Sequence, residues 1–316
     1  MVLDVLLIVV GVTMVLVGAD RLTEGASALA RRMNIPEIVI GLTIVAAGTS
    51  APELFVSLVS ALKGTPDLAV GNVVGSNTMN CMLIVGCAAM VAPMTISRST
   101  VKKDIPFSIG ATALLILLAI DSFLGRLDGI ILLAGFTAFM TYSFLVVKGH
   151  GDALPDQSEV TAQENRPRHP LLSCFYVLLG LALLVVGSNV FVDRASSLAL
   201  ALGVSEGVVG LTVVAGGTSL PELATSVVAA RKGQSAIAIG NVIGSNVFNI
   251  LMILGLTATI SPLAIEGITT LDMAVMFLSV TLVWFFSRTR YTVERWEGAV
   301  LVLGYLGYLA WMIYNL

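Results

Sequence analysis

Two glutamates, Glu53 and Glu222, stand well inside apolar stretches and keep the same company, Gly-Thr-Ser-x-Pro-Glu-Leu at 48–54 and 217–223. An acidic side chain near the middle of a bilayer is costly, so its presence marks a function or an obligatory partner. No Lys or Arg falls in either stretch to pair with it, which leaves a mobile cation as the natural partner. The plain alternative, a glutamate at a helix end near headgroups, is opposed by the apolar runs on both sides and by identical placement in both copies. Pro52 and Pro221 lack an N–H and crowd the turn before them, which frees the carbonyls of Gly48 and Gly217. Glycine, then Thr-Ser, then proline predicts a helix break, and broken spans are tolerated at depth only where they line a cavity or are buried in protein. Freed carbonyls with the hydroxyls of Thr49, Ser50, Thr218 and Ser219 would make an oxygen-lined site. An ordinary proline kink is the competing reading.

A second motif, Gly-Asn-Val-x-Gly-Ser-Asn, occupies 71–77 and 240–246. Asn80 and Asn249 follow four residues after Ser76 and Ser245, a spacing that puts serine and asparagine on one helical face. Packing alone accounts for Gly71, Gly75, Gly240 and Gly244, which form small-xxx-small patterns. It does not account for three amides per copy, so Asn80 and Asn249 read as ligands or site-shaping donors, with interhelical hydrogen bonding as the alternative. The set comprises carboxylates, hydroxyls, amides and carbonyls. That chemistry suits hard cations such as Ca²⁺ rather than Zn²⁺ or Cu⁺. Two carboxylates balance one divalent ion, several monovalent ions or protons.

These motifs belong to one longer duplication. Residues 41–80 and 210–249 align without a gap at an offset of 169, and 24 of the 40 pairs are identical, Thr, Ser, Pro, Glu and Asn among them. The chain around them is 316 residues long, 57% hydrophobic and 12% charged, with mean hydropathy +0.96. A soluble domain carries about a quarter charged residues, so long apolar stretches here read as membrane spans of about 20 residues each. Ten segments can be drawn, at 2–19, 36–62, 68–92, 105–121, 127–147, 171–190, 205–230, 236–260, 269–287 and 297–314. They lack the alternation of a transmembrane β-barrel. The expected fold is therefore an all-α polytopic membrane protein of ten transmembrane helices. The start, Met-Val-Leu-Asp-Val-Leu, has no basic n-region and reads as a first span rather than a cleaved signal.

Ten spans put 14 of the 17 basic residues on one side, from Arg21, Arg31 and Arg32 through Lys102, Lys103, Arg231 and Lys232 to Arg295. Only Lys63, Arg126 and Arg194 fall on the other. The positive-inside rule then places both termini outside the cytoplasm. Each half, 1–147 and 171–316, holds five spans, an odd number, so the copies enter the membrane from opposite sides. Inverted five-helix repeats with broken helices at the midplane are a recurring transporter architecture. Residues 148–170 are a polar cytoplasmic linker holding both histidines, His150 and His169. Cys81, Cys87 and Cys174 have no metal-type spacing and are expected as small buried hydrophobes. Lipid is the expected surroundings, with no nucleic acid and no cofactor, and a monomer is the working expectation.

The two motifs in two inverted copies resemble the sodium/calcium exchangers of the cation/calcium antiporter superfamily, in the prokaryotic form without a regulatory domain. The resemblance covers both repeats closely and the ten-span layout loosely. It implies that Glu53 and Glu222 bind Ca²⁺ and Na⁺ in turn. It further implies that Thr49, Ser50, Thr218, Ser219, Ser76 and Ser245 flank them as Na⁺ ligands, joined by the carbonyls of Ala46 and Ala215. Asn80 and Asn249 match the remaining central positions, and some members have aspartate where Asn249 stands. The implied activity is alternating-access antiport in a prokaryotic cell membrane, Ca²⁺ leaving the cytoplasm against Na⁺, as the long first and sixth helices move against the rest. A proton/calcium antiporter is the nearest rival. A passive cation channel fits the inverted repeat less well. An intramembrane hydrolase through Ser50 or Ser219 lacks a histidine or lysine base within a span.

Overall fold

The first apolar stretch does not end near residue 19. In the computed structural model, which describes residues 2–33, 35–149, 170–202, 213 and 215–314, helix α1 runs Val2–Met33. The extra turns hold because Leu22, Ala26, Leu29 and Ala30 keep a buried stripe at helical spacing while Asp20, Arg21 and Glu24 occupy the remaining face. The sixth segment is likewise longer than its apolar core. We label the other helices α2 Glu37–Thr49, α3 Ala51–Leu62, α4 Pro66–Val91, α5 Ile105–Leu118, α6 Arg126–Gly149 and α7 Pro170–Ala201. They continue with α8 Ala215–Thr218, α9 Leu220–Arg231, α10 Ser235–Ile260, α11 Thr270–Arg290 and α12 Arg295–Tyr314.

Helices α1 and α7 lie antiparallel at close range, because glycines meet at their seam. A Cβ on Gly18 would lie 2.8 Å from the carbonyl oxygen of Gly180, and one on Gly187 the same distance from that of Gly11. Only 22% of the apolar window of α1 is buried, against 78% for α4 and 89% for α10. The centre of the bundle is therefore α4 with α10. The outward faces of α1 and α7 show Leu3, Leu16, Leu171, Phe175 and Leu178 exposed, as a lipid-facing surface requires.

Among the described residues seven helices are long and apolar enough to cross a membrane, and the bent pair α2–α3 makes an eighth. Of the other two expected segments, α5 is only 14 residues long, preceded by a π turn Thr100–Asp104 that carries Lys102 and Lys103. The segment 205–230 is described mainly from Ala215 on. Of the expected linker 148–170, residues 148–149 and 170 belong to α6 and α7, and 150–169, with both histidines, lie outside the described residues.

Two small antiparallel sheets join the halves. Strand β1 (Met94–Thr95) pairs with β4 (Thr292–Val293), and β2 (Phe123–Leu124) pairs with β3 (Leu263–Ala264). The registers Met94↔Val293 and Leu124↔Leu263 are related by the same 169-residue offset as the sequence copies. Asp67 Oδ1 accepts from the backbone N–H groups of Glu266 and Gly267. Lys232 Nζ lies 2.7 Å from Asp20, and Arg194 lies 3.8 Å from Asp4. Each of these contacts joins segments that the distribution of basic residues assigns to one side. The cysteines correct an expectation: Cys81 is buried, but Cys87 is half-buried and Cys174 is exposed. Cys174 sits on the outward face of α7 between exposed Leu171 and Phe175, where a lipid-facing apolar surface accommodates it as readily as a core.

Candidate ion site

The helix breaks fall where Thr-Ser meets proline. Ser50 takes φ −82°, ψ 7° between α2 and α3, which bend by 47°, and Ser219 takes φ −90°, ψ 8° between α8 and α9. Pro52 and Pro221 sit in the first turns of the helices that follow, where a missing N–H costs nothing. Each glutamate thus lies one turn past a break, and both are buried, 1% exposed.

Each carboxylate is held by the opposite half. Ser219 donates to Glu53 Oε1 at 3.0 Å, with Ser76 Oγ 3.2 Å from the Ser219 hydroxyl. Ser50 donates to Glu222 Oε1 at 3.1 Å. Thr49 Oγ1 lies 3.0 Å from Asn241 Oδ1 and 3.3 Å from the Ala46 carbonyl, which also accepts from Ser50 N–H. Thr49, Ser245 and Ala46 are fully buried, and Thr218 is half-buried at the end of α8. Ala215 opens α8.

Asn80 begins the π turn Asn80–Ile84 in α4, and Asn249 is the second residue of the π turn Phe248–Leu254 in α10. Such widened turns displace side chains from the regular helical face and gather at functional sites. The turn with Asn80 packs against α9, which carries Glu222, and the turn with Asn249 packs against α3, which carries Glu53. Asn80 Nδ2 donates to Asn246 Oδ1 and Asn249 Nδ2 to Asn77 Oδ1, both at 3.0 Å. These bonds use the amide nitrogens and leave the Oδ1 atoms as acceptors.

Residues beyond the expected set support it. Asn72 Nδ2 donates to the Glu53 carbonyl (3.2 Å) and to Ser57 Oγ (3.0 Å); Asn241 does the same for Glu222 (3.3 Å) and Ser226 (3.0 Å). Ser57 and Ser226 were identifiable as matched serines four residues past each glutamate. The cross-half bonds of Asn77 and Asn246 leave no local trace.

Glu53 Oε2, Glu222 Oε2, Asn80 Oδ1, Asn249 Oδ1 and Ser245 Oγ are buried without a hydrogen-bond partner among the described residues. A buried unsatisfied polar atom calls for an explanation. These five are oxygen donors of the types a hard cation takes, two of them on carboxylates with no cationic side chain beside them.

The sequence profile described as "Sodium/calcium exchanger protein" matches residues 3–145 and again 172–314. The chain belongs to this family. It is a family of transporters, not enzymes, and its member here is a multi-pass membrane protein. The sodium/calcium exchanger MaX1 of Methanosarcina acetivorans is 31% identical, over 98% of each chain. Inner membrane protein YrbG of Escherichia coli K12 is 38% identical, over 99% of this chain and 96% of that one. The solved structure of the sodium-calcium exchanger NCX_Mj, soaked with Na⁺ and Ca²⁺, superimposes with a TM-score of 0.85 at 30% identity, covering 98% of both chains. The exchanger fold thus extends over nearly the whole chain and includes no separate regulatory domain within it.

Proposed function

We propose that this exchanger moves Ca²⁺ out of the cytoplasm in return for Na⁺, with both ions using Glu53 and Glu222 in turn. The observation that carries the reading is the pair of buried carboxylates, each anchored through one oxygen by a serine of the opposite half. The second oxygen of each is left for a cation. Ligands drawn from both halves favour alternating access, since a rearrangement of one half against the other changes which end of the bundle the site faces. Asn80, Asn249, Thr49, Thr218, Ser76, Ser245 and the carbonyls of Ala46 and Ala215 would complete the coordination. The halves 1–147 and 171–316 act as inverted repeats. The excess of basic residues at one end supports a cytoplasmic placement of that end, with both termini outside.

Loading proteoliposomes with Na⁺, with K⁺, or with a pH gradient alone, and following radiolabelled Ca²⁺ uptake, tests the reading. Uptake with internal Na⁺ only is the expected result, and no flux under any Na⁺ gradient would sink it. One observation favours a second reading. Protons can also balance the two carboxylates, and neither central amide supplies a further negative charge for Na⁺. Uptake driven by a pH gradient without Na⁺ would make H⁺ the coupling ion at the same site.

A further inference from the structure

The 169-residue symmetry that governs the centre fails at a cleft on the rim, and the failure there has a definite chemistry. A cleft of about 260 Å³ opens at the basic end of the bundle between the start of α5 and the end of α11. Val101, Lys102, Pro106, Trp284, Arg288 and Tyr291 line it, with no carboxylate among them. The indole N–H of Trp284 donates to the Val101 carbonyl at 3.1 Å, which fixes the wall between the two helices. The Arg288 guanidinium lies 5.2 Å from the Trp284 ring, and that of Arg98 lies 5.2 Å from the Tyr291 ring. Tyr291 itself holds φ 56°, a left-handed conformation that a non-glycine side chain adopts at some cost.

The symmetry-related positions at the other end supply the contrast. An offset of 169 puts Leu271 for Lys102, Ala119 for Arg288, Gly267 for Arg98, Leu115 for Trp284 and Ser122 for Tyr291. Ser122 also has positive φ, 60°, so the backbone device is common to both ends while, at these five matched positions, the cations and aromatic rings occur at one. A neighbouring cleft at the basic end contains Glu294 and Glu297 beside Arg290 and does not share the uniform charge.

We propose that this cleft binds the phosphodiester headgroup of an anionic glycerophospholipid in the leaflet at the basic end. Lys102 and Arg288 meet the phosphate. Trp284 and Tyr291 sit at headgroup level, as amphipathic rings do, and Val101 and Pro106 meet the glycerol and upper acyl chain. Basic pockets between spanning helices on the cytoplasmic side suit such headgroups. The paired cations give the preference for a net negative lipid, and the apolar wall selects lipid over free phosphate.

Native mass spectrometry of the purified full chain with phosphatidylglycerol, phosphatidylcholine or inorganic phosphate tests this. Phosphatidylglycerol adducts should exceed phosphatidylcholine adducts. They should fall by about thirtyfold in the K102Q/R288Q variant, as expected for two basic residues near an anionic headgroup. The charge-keeping K102R/R288K variant should retain them, as should K63Q/R126Q, which removes two cations from the opposite end. Equal phosphatidylglycerol binding by wild type and K102Q/R288Q would overturn the proposal. So would displacement of the lipid by inorganic phosphate at equal concentration, which would make the cleft a free-anion site.

Discussion

Glu53 and Glu222 occupy matching surroundings, whereas two lysines related in the same way do not. Each glutamate accepts from a serine across the interface, lends its carbonyl to an asparagine, and lies one turn past a broken helix. At the rim, Lys232 bridges to Asp20 and reaches Thr23 Oγ1 at 3.0 Å. Its counterpart Lys63 forms no ion pair among the described residues, because Asn189 stands 169 residues after Asp20. The two copies agree where both must contribute to one site. They diverge at the rims of the bundle, so the identity between copies separates shared chemistry from local adaptation.

The largest effect should come from the centre. E53Q and E222Q should each lower Ca²⁺ flux in proteoliposomes by about a hundredfold or more, since on the proposed function each removes a charge from a buried ion pair with the substrate. Similar losses are expected in the two variants, and one variant with near-normal flux would break the symmetry of the site. N77A and N246A should each raise the Ca²⁺ concentration for half-maximal uptake by about tenfold. Each leaves the amide of Asn249 or Asn80 without its anchor. A loss of maximal rate with unchanged half-saturation would argue against orientation as their role. S50A and S219A rank between the glutamate and the asparagine variants. Each removes one hydroxyl bond to a carboxylate, worth about 1.5–3 kcal/mol for a charged acceptor, and the paired shifts in Ca²⁺ affinity should agree. The smallest effect belongs to the rim. K232Q should lower thermal stability by no more than about 1 kcal/mol, because Lys232 and Asp20 are 31% and 43% exposed and solvent screens the pair. K63Q should leave the melting temperature unchanged.

Much of this was written in residue types. The duplication, the apolar runs and the Thr-Ser-x-Pro-Glu break identify the helices and the two glutamates, because burial of charge and loss of an N–H are local properties. The reach of α1 to Met33 was less visible, since Asp20, Arg21 and Glu24 lower the hydropathy while Leu22, Ala26 and Leu29 keep the buried stripe. The π turns at Asn80–Ile84 and Phe248–Leu254 leave no mark in composition, as one extra residue per turn changes bonding and not polarity. The Asn80–Asn246 and Asn249–Asn77 bonds join residues 166 and 172 apart, and a periodicity within one helix says nothing about such partners. Cys174 misled because an apolar neighbourhood in sequence describes a lipid-facing surface and a core equally well.

The strand pairing of β1 with β4 and of β2 with β3 sets an order of events during synthesis. Met94 and Thr95 leave the ribosome nearly two hundred residues before Val293 and Thr292, and Glu53 precedes its serine donor by a comparable length of chain. A nascent first half holds open strand edges and a carboxylate that lacks its cross-half anchor. Long-range closure of this kind is slow and leaves intermediates exposed. The β2–β3 end can close once residues 263–264 have emerged, whereas the β1–β4 end waits for residues 292–293, so the two ends of the bundle are completed in sequence.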